Sequence, residues 1–161
     1  MNGTPAHWLC LPRCDSASMF GALLGDENHG RWLLAPADPA VTCTRSYDEG
    51  AFILTTLWKT PVGSVEVIDF MPHCDHRADV LRRMRGLSGT VEMIEDLRIR
   101  FGNPTTVPWV RQVATGGEHG LVAAEGPDAI IVRGPVPHAA DHRPAAVFRV
   151  TAGEDVDLRL S

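Results

Sequence analysis

Over residues 90–101 the chain alternates almost without fault. Val91, Met93, Leu97, Ile99 and Phe101 share one parity, whereas Glu92, Asp96, Arg98 and Arg100 hold the other. A two-residue period with one wet face marks an antiparallel strand lying half-buried on a core. The five apolar residues are therefore expected to line the core, with Arg98 and Arg100 pointing away. Glu95 interrupts the pattern from the apolar side. A carboxylate there faces another domain or pairs with a buried arginine, since a lone ion is costly to desolvate.

Similar patterns recur along the chain. Residues 51–58 are rich in β-branched and aromatic side chains, Pro61-Val62-Gly63 offers a turn, and residues 64–70 return with alternation, which reads as a hairpin. Residues 80–87 are strand-like, and Ser88-Gly89 reads as a turn into the strand just described. Further strands are predicted over residues 107–113, 120–125, 129–133, 146–151 and 156–160. Gly116-Gly117, Gly126-Pro127-Asp128 and Ala152-Gly153 separate several of them. Only residues 16–24 look helical, with Ser16 or Ser18 as N-cap and Gly25 as the stop. Pro12 fixes its backbone and offers no N–H to a ladder. The strand entered at Trp8 must then end near Leu11 and release Arg13, Cys14, Asp15 and Ser16 as a loop, in which Asp15 or Ser16 caps the helix. The predicted fold is an all-β antiparallel sandwich with one short helix near the N-terminus, spanning residues 1–161 as a single domain.

Composition narrows the function. With 161 residues, 44% hydrophobic and 22% charged, the chain can bury a real core and is not intrinsically disordered. No apolar run reaches the ~18 residues of a membrane span. A net charge of −5 argues against general nucleic-acid binding, which wants a basic surface. Cys10, Cys14, Cys43 and Cys74 follow no metal or disulfide spacing, so they are expected as free, mostly buried thiols in a cytoplasmic protein.

Candidate chemistry is sparse. His73-Cys74-Asp75-His76 holds metal-ligating types, but neighbouring side chains on a strand or loop do not converge, and a polar loop is the expected reading. No local signature pairs a cysteine with a histidine. Nucleophile-elbow, phosphate-loop and dinucleotide motifs are missing as well. Glu92 and Glu95, or Glu95 and Asp96, would point to opposite faces of a strand. Catalytic, metal and cofactor residues are accordingly expected to be none. Arg77, Arg82, Arg83 and Arg85 read as a solvated strand face balanced by Asp75 and Asp79. Trp58 and Trp109 are expected in the core. Trp8 and Trp32, which flank the helical segment, pack on it, meet a partner or stack on a sugar. Asn2-Gly3 is a strong hairpin turn with no strand before it, as in a piece of a longer polypeptide.

A set of collinear blocks adds a resemblance. Residues 8–16 (WLCLPRCDS) with residues 20–25 (FGALLG) are similar to the N-terminal domain of bacterial glycoside hydrolase family 15 proteins, the glucoamylase, glucodextranase and trehalase-like group. Residues 29–36 (HGRWLLAP), 67–72 (VIDFMP), 85–91 (RGLSGTV), 97–101 (LRIRF), 107–110 (VPWV) and 126–128 (GPD) continue it in order. His7, Cys14 and Asn103-Pro104 depart from the usual pattern, and relatives begin with a further strand ending at the turn matched by Asn2-Gly3.

The resemblance implies a β-sandwich of the supersandwich type packed on a C-terminal α-helical toroid. Two toroid glutamates cleave α-glucosidic bonds with inversion, one as general acid and one activating water. This chain is then a non-catalytic module whose partner is its own C-terminal catalytic domain, the parent acting on α-glucosides such as trehalose or maltooligosaccharides. Arg13, Asp15 and Ser16 form a possible contact loop to that domain. An apolar patch on one face would support docking. The alternative is a stand-alone carbohydrate-binding domain, and a small metalloenzyme using His73, Cys74 and His76 is a third reading.

Overall fold

The computed structural model describes residues 4–73, 78–102, 106–115, 118–135, 138–140 and 143–161. Its architecture turns on one long strand, β8, Val80–Arg98. The first half of β8 lies inside a sheet with β5 (Thr42–Tyr47), β6 (Leu54–Thr60) and β7 (Gly63–Phe70) on one side. On the other side follow β14 (Asp155–Leu160), β11 (Asp128–Arg133), β10 (Glu118–Glu125) and β9 (Trp109–Thr115). The second half of β8 pairs with β4 (Arg31–Pro36) and β13 (Arg143–Thr151), flanked outside by β1 (Thr4–Ala6) and β12 (His138–Ala140). All pairings are antiparallel. Register shows the division: Met84 sits between Val67 and Val156, whereas Glu95 sits between Leu34 and Ala146.

The turn expected at Ser88-Gly89 is therefore corrected, because β8 runs through it and passes from one sheet into the other. Two glycines make the passage possible. Gly89 has φ +61°, and a Cβ on it would collide with the carbonyl oxygen of Val62; one on Gly86 would collide with that of Thr151. A Ser-Gly pair between two apolar stretches looks the same in sequence whether the strand bends or reverses.

One hydrophobic cluster joins the two groups of strands. Trp32 and Leu34 of β4, Trp58 of β6, Val65 and Val67 of β7, and Leu158 and Leu160 of β14 are fully buried in it. Val91, Met93, Leu97 and Ile99 are buried as alternation predicts, with Phe101 packed against the cluster. Arg98 turns from the apolar cluster toward Asp96 and Glu27, and Arg100 donates to the carbonyl of Ile99.

The helix expected over residues 16–24 does not form. Ser18–Phe20 is instead a short strand, β3, paired with β2 (Leu9–Cys10). A 3-10 turn, Ala22–Leu24, follows with no side-chain cap. Tertiary hydrogen bonds override the local preference: the amides of Arg100 and Gly102 donate to the carbonyls of Met19 and Ser18 at 3.0 and 2.9 Å. A second 3-10 turn, Glu27–His29, is capped by Asp26. The strand expected from residue 51 begins only at Leu54, which leaves Phe52 outside it. The cysteines are also corrected, since Cys14 and Cys43 are exposed and Cys10 is half-buried. Asn2-Gly3, Cys74-Asp75-His76, Arg77, Asn103-Pro104 and Gly116-Gly117 lie outside the described residues.

Candidate docking groove at the open edge of the sandwich

β5 ends its sheet and is exposed over all six residues. Residues opposite each other in an antiparallel pair share a face, so Cys43 and Arg45 project on the side of Trp58 and Thr56. Those two are fully buried. The inner face of the sheet thus runs on past the region covered by the second sheet. Between this overhang and β1 lies a groove of about 770 Å³, walled by Trp8, Tyr47, Phe52, Leu54, Phe70 and Met71. Phe52 is 97% exposed, Tyr47 68%, Met71 54% and Trp8 46%. So concentrated an apolar surface on one side is the mark of an interaction face. Trp8 also borders a smaller hollow of about 270 Å³ with Leu24, His29 and Arg100, which extends the surface round the edge.

The groove floor is polar and cross-linked by hydrogen bonds. Asp69 and Arg82 line it, and Arg82 holds Asp69 through Nε and Nη2 at 2.8 and 3.2 Å. Arg82 also donates to the backbone carbonyl of Trp32 at 2.8 Å and stacks over its ring at 5.1 Å. Behind it, the Trp32 indole donates to Glu95 Oε1 at 2.7 Å. Glu95 Oε2 has no hydrogen-bond partner among the described residues. Burial pushes the Glu95 carboxyl up to about 7, against the opposing pull of the Trp32 hydrogen bond and the Arg82 charge. Of the two roles foreseen for Glu95, the structure supports the one beside a buried arginine.

Arg82 is thus only 2% exposed, which corrects the solvated arginine face. Parity decides the outcome, because Arg82 and Met84 point inward while Arg83 and Arg85 point outward. Arg83 grips Asp157 with two contacts of 2.7 Å, which hold the Asp157 carboxyl below its usual range, and Arg85 meets Asp155 at 3.2 Å. Asp79 is itself buried and accepts from Arg159 at 2.6 Å.

The tryptophans divide differently from expectation. Trp58 is core, but Trp109 is 62% exposed, with Arg111 over its ring at 5.4 Å, and Trp32 is fully buried. Trp109 lies on the edge strand β9, where an apolar run does not imply burial; Trp32 pairs with Leu97 beside the core. Of the two proposed platforms only Trp8 is accessible.

The loop after Pro12 is self-contained. β2 ends at Cys10, close to the expected point. Arg13 binds Asp15 through two contacts of 2.9 Å, and the Arg13 amide donates to Ser16 Oγ at 3.2 Å. With no helix to follow, neither Asp15 nor Ser16 caps one. Ser16, Pro12 and Met19 line a separate cavity of about 340 Å³ with Phe101 and Ile130. Glu92 is exposed and 3.5 Å from Arg149, Glu95 is buried, and Asp96 meets Arg31 and Arg98 on the other face. His73 is exposed, and its three neighbours in the cluster are not described. Among the described residues no three His, Cys, Asp or Glu side chains gather as metal ligands, and no helix is long and apolar enough to cross a membrane.

The groove residues Tyr47, Phe52, Asp69 and Met71 were not evident from sequence. Tyr47 and Phe52 flank a polar four-residue turn, and large aromatics there are the one signal that could have exposed them. The family model "Trehalase-like, N-terminal" matches residues 3–135. The chain belongs to that family. It is similar to a trehalase of Mycolicibacterium smegmatis, 33% identical over 76% of this chain and 21% of the relative, and to one of Mycobacterium tuberculosis at 31% with the same coverage. A trehalase 1 of Sulfolobus acidocaldarius is 38% identical over 40% of this chain and 11% of its own length. The chain thus spans about a fifth of the length of the first two relatives. No solved structure matches it significantly.

Proposed function

We propose that this chain is the non-catalytic N-terminal module of a family 15, glucoamylase-like glycoside hydrolase of the trehalase type. A C-terminal catalytic domain of the parent cleaves the α-glucosidic bond of trehalose or a related glucoside. The observation that carries this reading is the match of a trehalase-like N-terminal family to most of the chain, while the two trehalases it resembles are about five times the matched length.

The carboxylates support the non-catalytic role. An inverting glycosidase needs two carboxyls about 6.5–9.5 Å apart with a sugar and a water between them. Glu95 is sealed beneath Trp32, and Glu92 and Asp96 occupy the opposite face in ion pairs. The module docks on its catalytic domain through the groove at Trp8 and Phe52, and Arg13, Asp15 and Ser16 form a further contact loop. The free thiols Cys10, Cys14 and Cys43 suit a reducing cytoplasm.

The test is an assay of the purified chain beside its full-length parent with trehalose and maltose. Glucose release is expected from the parent and not from the chain. Release by the chain, lost on Glu92→Gln, would refute the reading. The half-exposed ring of Trp8 favours one competitor, a glucoside-binding domain. Heat on titration of the chain with trehalose or maltose would promote it.

A further inference from the structure

Strand β11 outruns its neighbour β14. Against β10 it is paired over its whole length, from Asp128 opposite Glu125 to Arg133 opposite Gly120. On its other side the ladder joins Arg133 to Arg159 and Val132 to Leu160, and closes at Ile131. The amide of Ile131 donates to the carbonyl of Ser161, and the amide of Ser161 to that of Ile131, both at 3.0 Å. Beyond this point Ala129 and Ile130 face no strand on that side among the described residues. The cavity of about 340 Å³ lies at this step, lined by Leu11, Met19, Phe101, Ala129, Ile130 and Ser161.

The ladder fixes what the step offers. Ile131 and Ser161 are a hydrogen-bonded pair, and such pairs alternate along an antiparallel ladder. A residue next after Ser161 falls opposite Ile130 in a non-hydrogen-bonded pair. The residue beyond it falls opposite Ala129, whose amide and carbonyl face away from β10. The same count fixes the face. Leu158 and Leu160 are buried in the core, and the residue after Ser161 shares their side of the strand. Opposite it Ile130 belongs to the core cluster, with Leu11 and Phe101 packed against that cluster. The Oγ of Ser161, buried at the same end, has no hydrogen-bond partner among the described residues. Asp128 is exposed beside the β10–β11 turn, which limits an apolar extension to two residues.

We propose that the parent's segment directly following Ser161 extends β14 by two residues along β11, and that the first of them is apolar and fills the cavity against Met19, Phe101 and Ile130. The second closes the backbone groups of Ala129, which buried strands do not leave unpaired. Apolar filling removes the cavity's lining from water. Pro12 and Ser16 border the same cavity, so the segment fastens the connection to the catalytic domain beside the Arg13 loop. The proposal rests on the reading that the chain is the N-terminal module of a longer enzyme, because relatives of about five times its matched length provide the polypeptide that follows.

Hydrogen exchange on the isolated chain and on the full-length parent tests the idea. The Ala129 amide is expected to exchange about 100-fold more slowly in the parent, while that of Ile131 is protected in both. The parent's residue next after Ser161 is expected to be apolar, and a charged residue there overturns the proposal. Ala17 is exposed and lines the cavity, so Ala17→Trp in the parent should displace the segment and restore fast exchange at Ala129. Continued slow exchange in the folded variant overturns the proposal; should the variant not fold, the wild-type comparison decides alone. Equal, fast exchange of Ala129 in both wild-type proteins also overturns it. If that parent still hydrolyses trehalose, the module reading stands. A full-length protein without α-glucosidase activity overturns the module reading instead. Protection of Ala129 already present in the isolated chain would show that the chain itself, or a second copy where the mass is that of a dimer, covers the step, and likewise overturn the proposal.

Discussion

The indole N–H of Trp32 donates to Oε1 of Glu95 at 2.7 Å, and both side chains are sealed from solvent. The pair joins the two neighbouring strands β4 and β8 across the centre of their sheet, directly behind the arginine that floors the groove. Burial raises the Glu95 carboxyl from its ordinary 4.5 to about 7, so the folded protein holds this proton more tightly than the unfolded chain. Stability from this group is therefore greatest at acid pH and falls as pH rises from about 4.5 to about 7, levelling above that. The loss is on the order of 3 kcal/mol. Glu95→Gln keeps an acceptor for Trp32 and cannot ionise. Urea unfolding from pH 4.5 to 8 should show the variant gaining on the wild type across that window, and parallel curves would mean Glu95 is not the group that titrates.

Leu97 lies fully buried beside Trp32 in the register of β4 and β8. Leu97→Ala should cost about 2–5 kcal/mol, as truncation of a buried leucine does where the surroundings cannot collapse. Chemical denaturation of the isolated chain measures this directly. A loss below about 0.5 kcal/mol would place Leu97 at the surface.

What was legible follows from this contrast. The parity that buries Val91, Met93 and Leu97 is a local property, and so is the end of β2 before Pro12. The β6–β7 hairpin was likewise legible from its turn and alternation. The course of β8 was hidden, because whether a glycine bends a strand or reverses it depends on Val62 and Thr151, far along the chain. Helical spacing over residues 16–24 gave way to backbone bonds from Arg100 and Gly102. The groove was least legible. Exposure of Tyr47 comes with its place at the end of the edge strand β5 and that of Phe52 with the turn before β6, and Arg82 differs from Arg83 only in which way the strand turns it.

Phe52 is 97% exposed, so it contributes almost nothing to the stability of the isolated fold. Phe52→Ser should shift unfolding by no more than about 0.5 kcal/mol. In the full-length parent the same change removes an apolar anchor from the docking face, and should lower the melting temperature and speed proteolytic separation of the two parts. Equal melting of parent and variant would take Phe52 out of the interface.

The loop at Arg13 makes a different kind of test. Arg13 and Asp15 form a two-contact ion pair, yet their side chains are 75% and 64% exposed. Exposed pairs of this kind contribute little, roughly 0–1 kcal/mol, because water competes for both ions and two side chains are immobilised. Ser16 holds the turn independently, by accepting from the Arg13 backbone amide while its own amide donates to the Arg13 carbonyl at 3.1 Å. Arg13→Ala therefore preserves the loop's backbone and removes only the charged tip it presents. If that tip meets the catalytic domain near its sugar-binding mouth, the variant parent should lose kcat/KM several-fold while its melting temperature moves by a degree or two. Asp15→Ala breaks the same ion pair but leaves the guanidinium in place, so it should cost less activity than Arg13→Ala. Turnover unchanged in both variants would leave the loop with no part in catalysis, only the pairing seen within it.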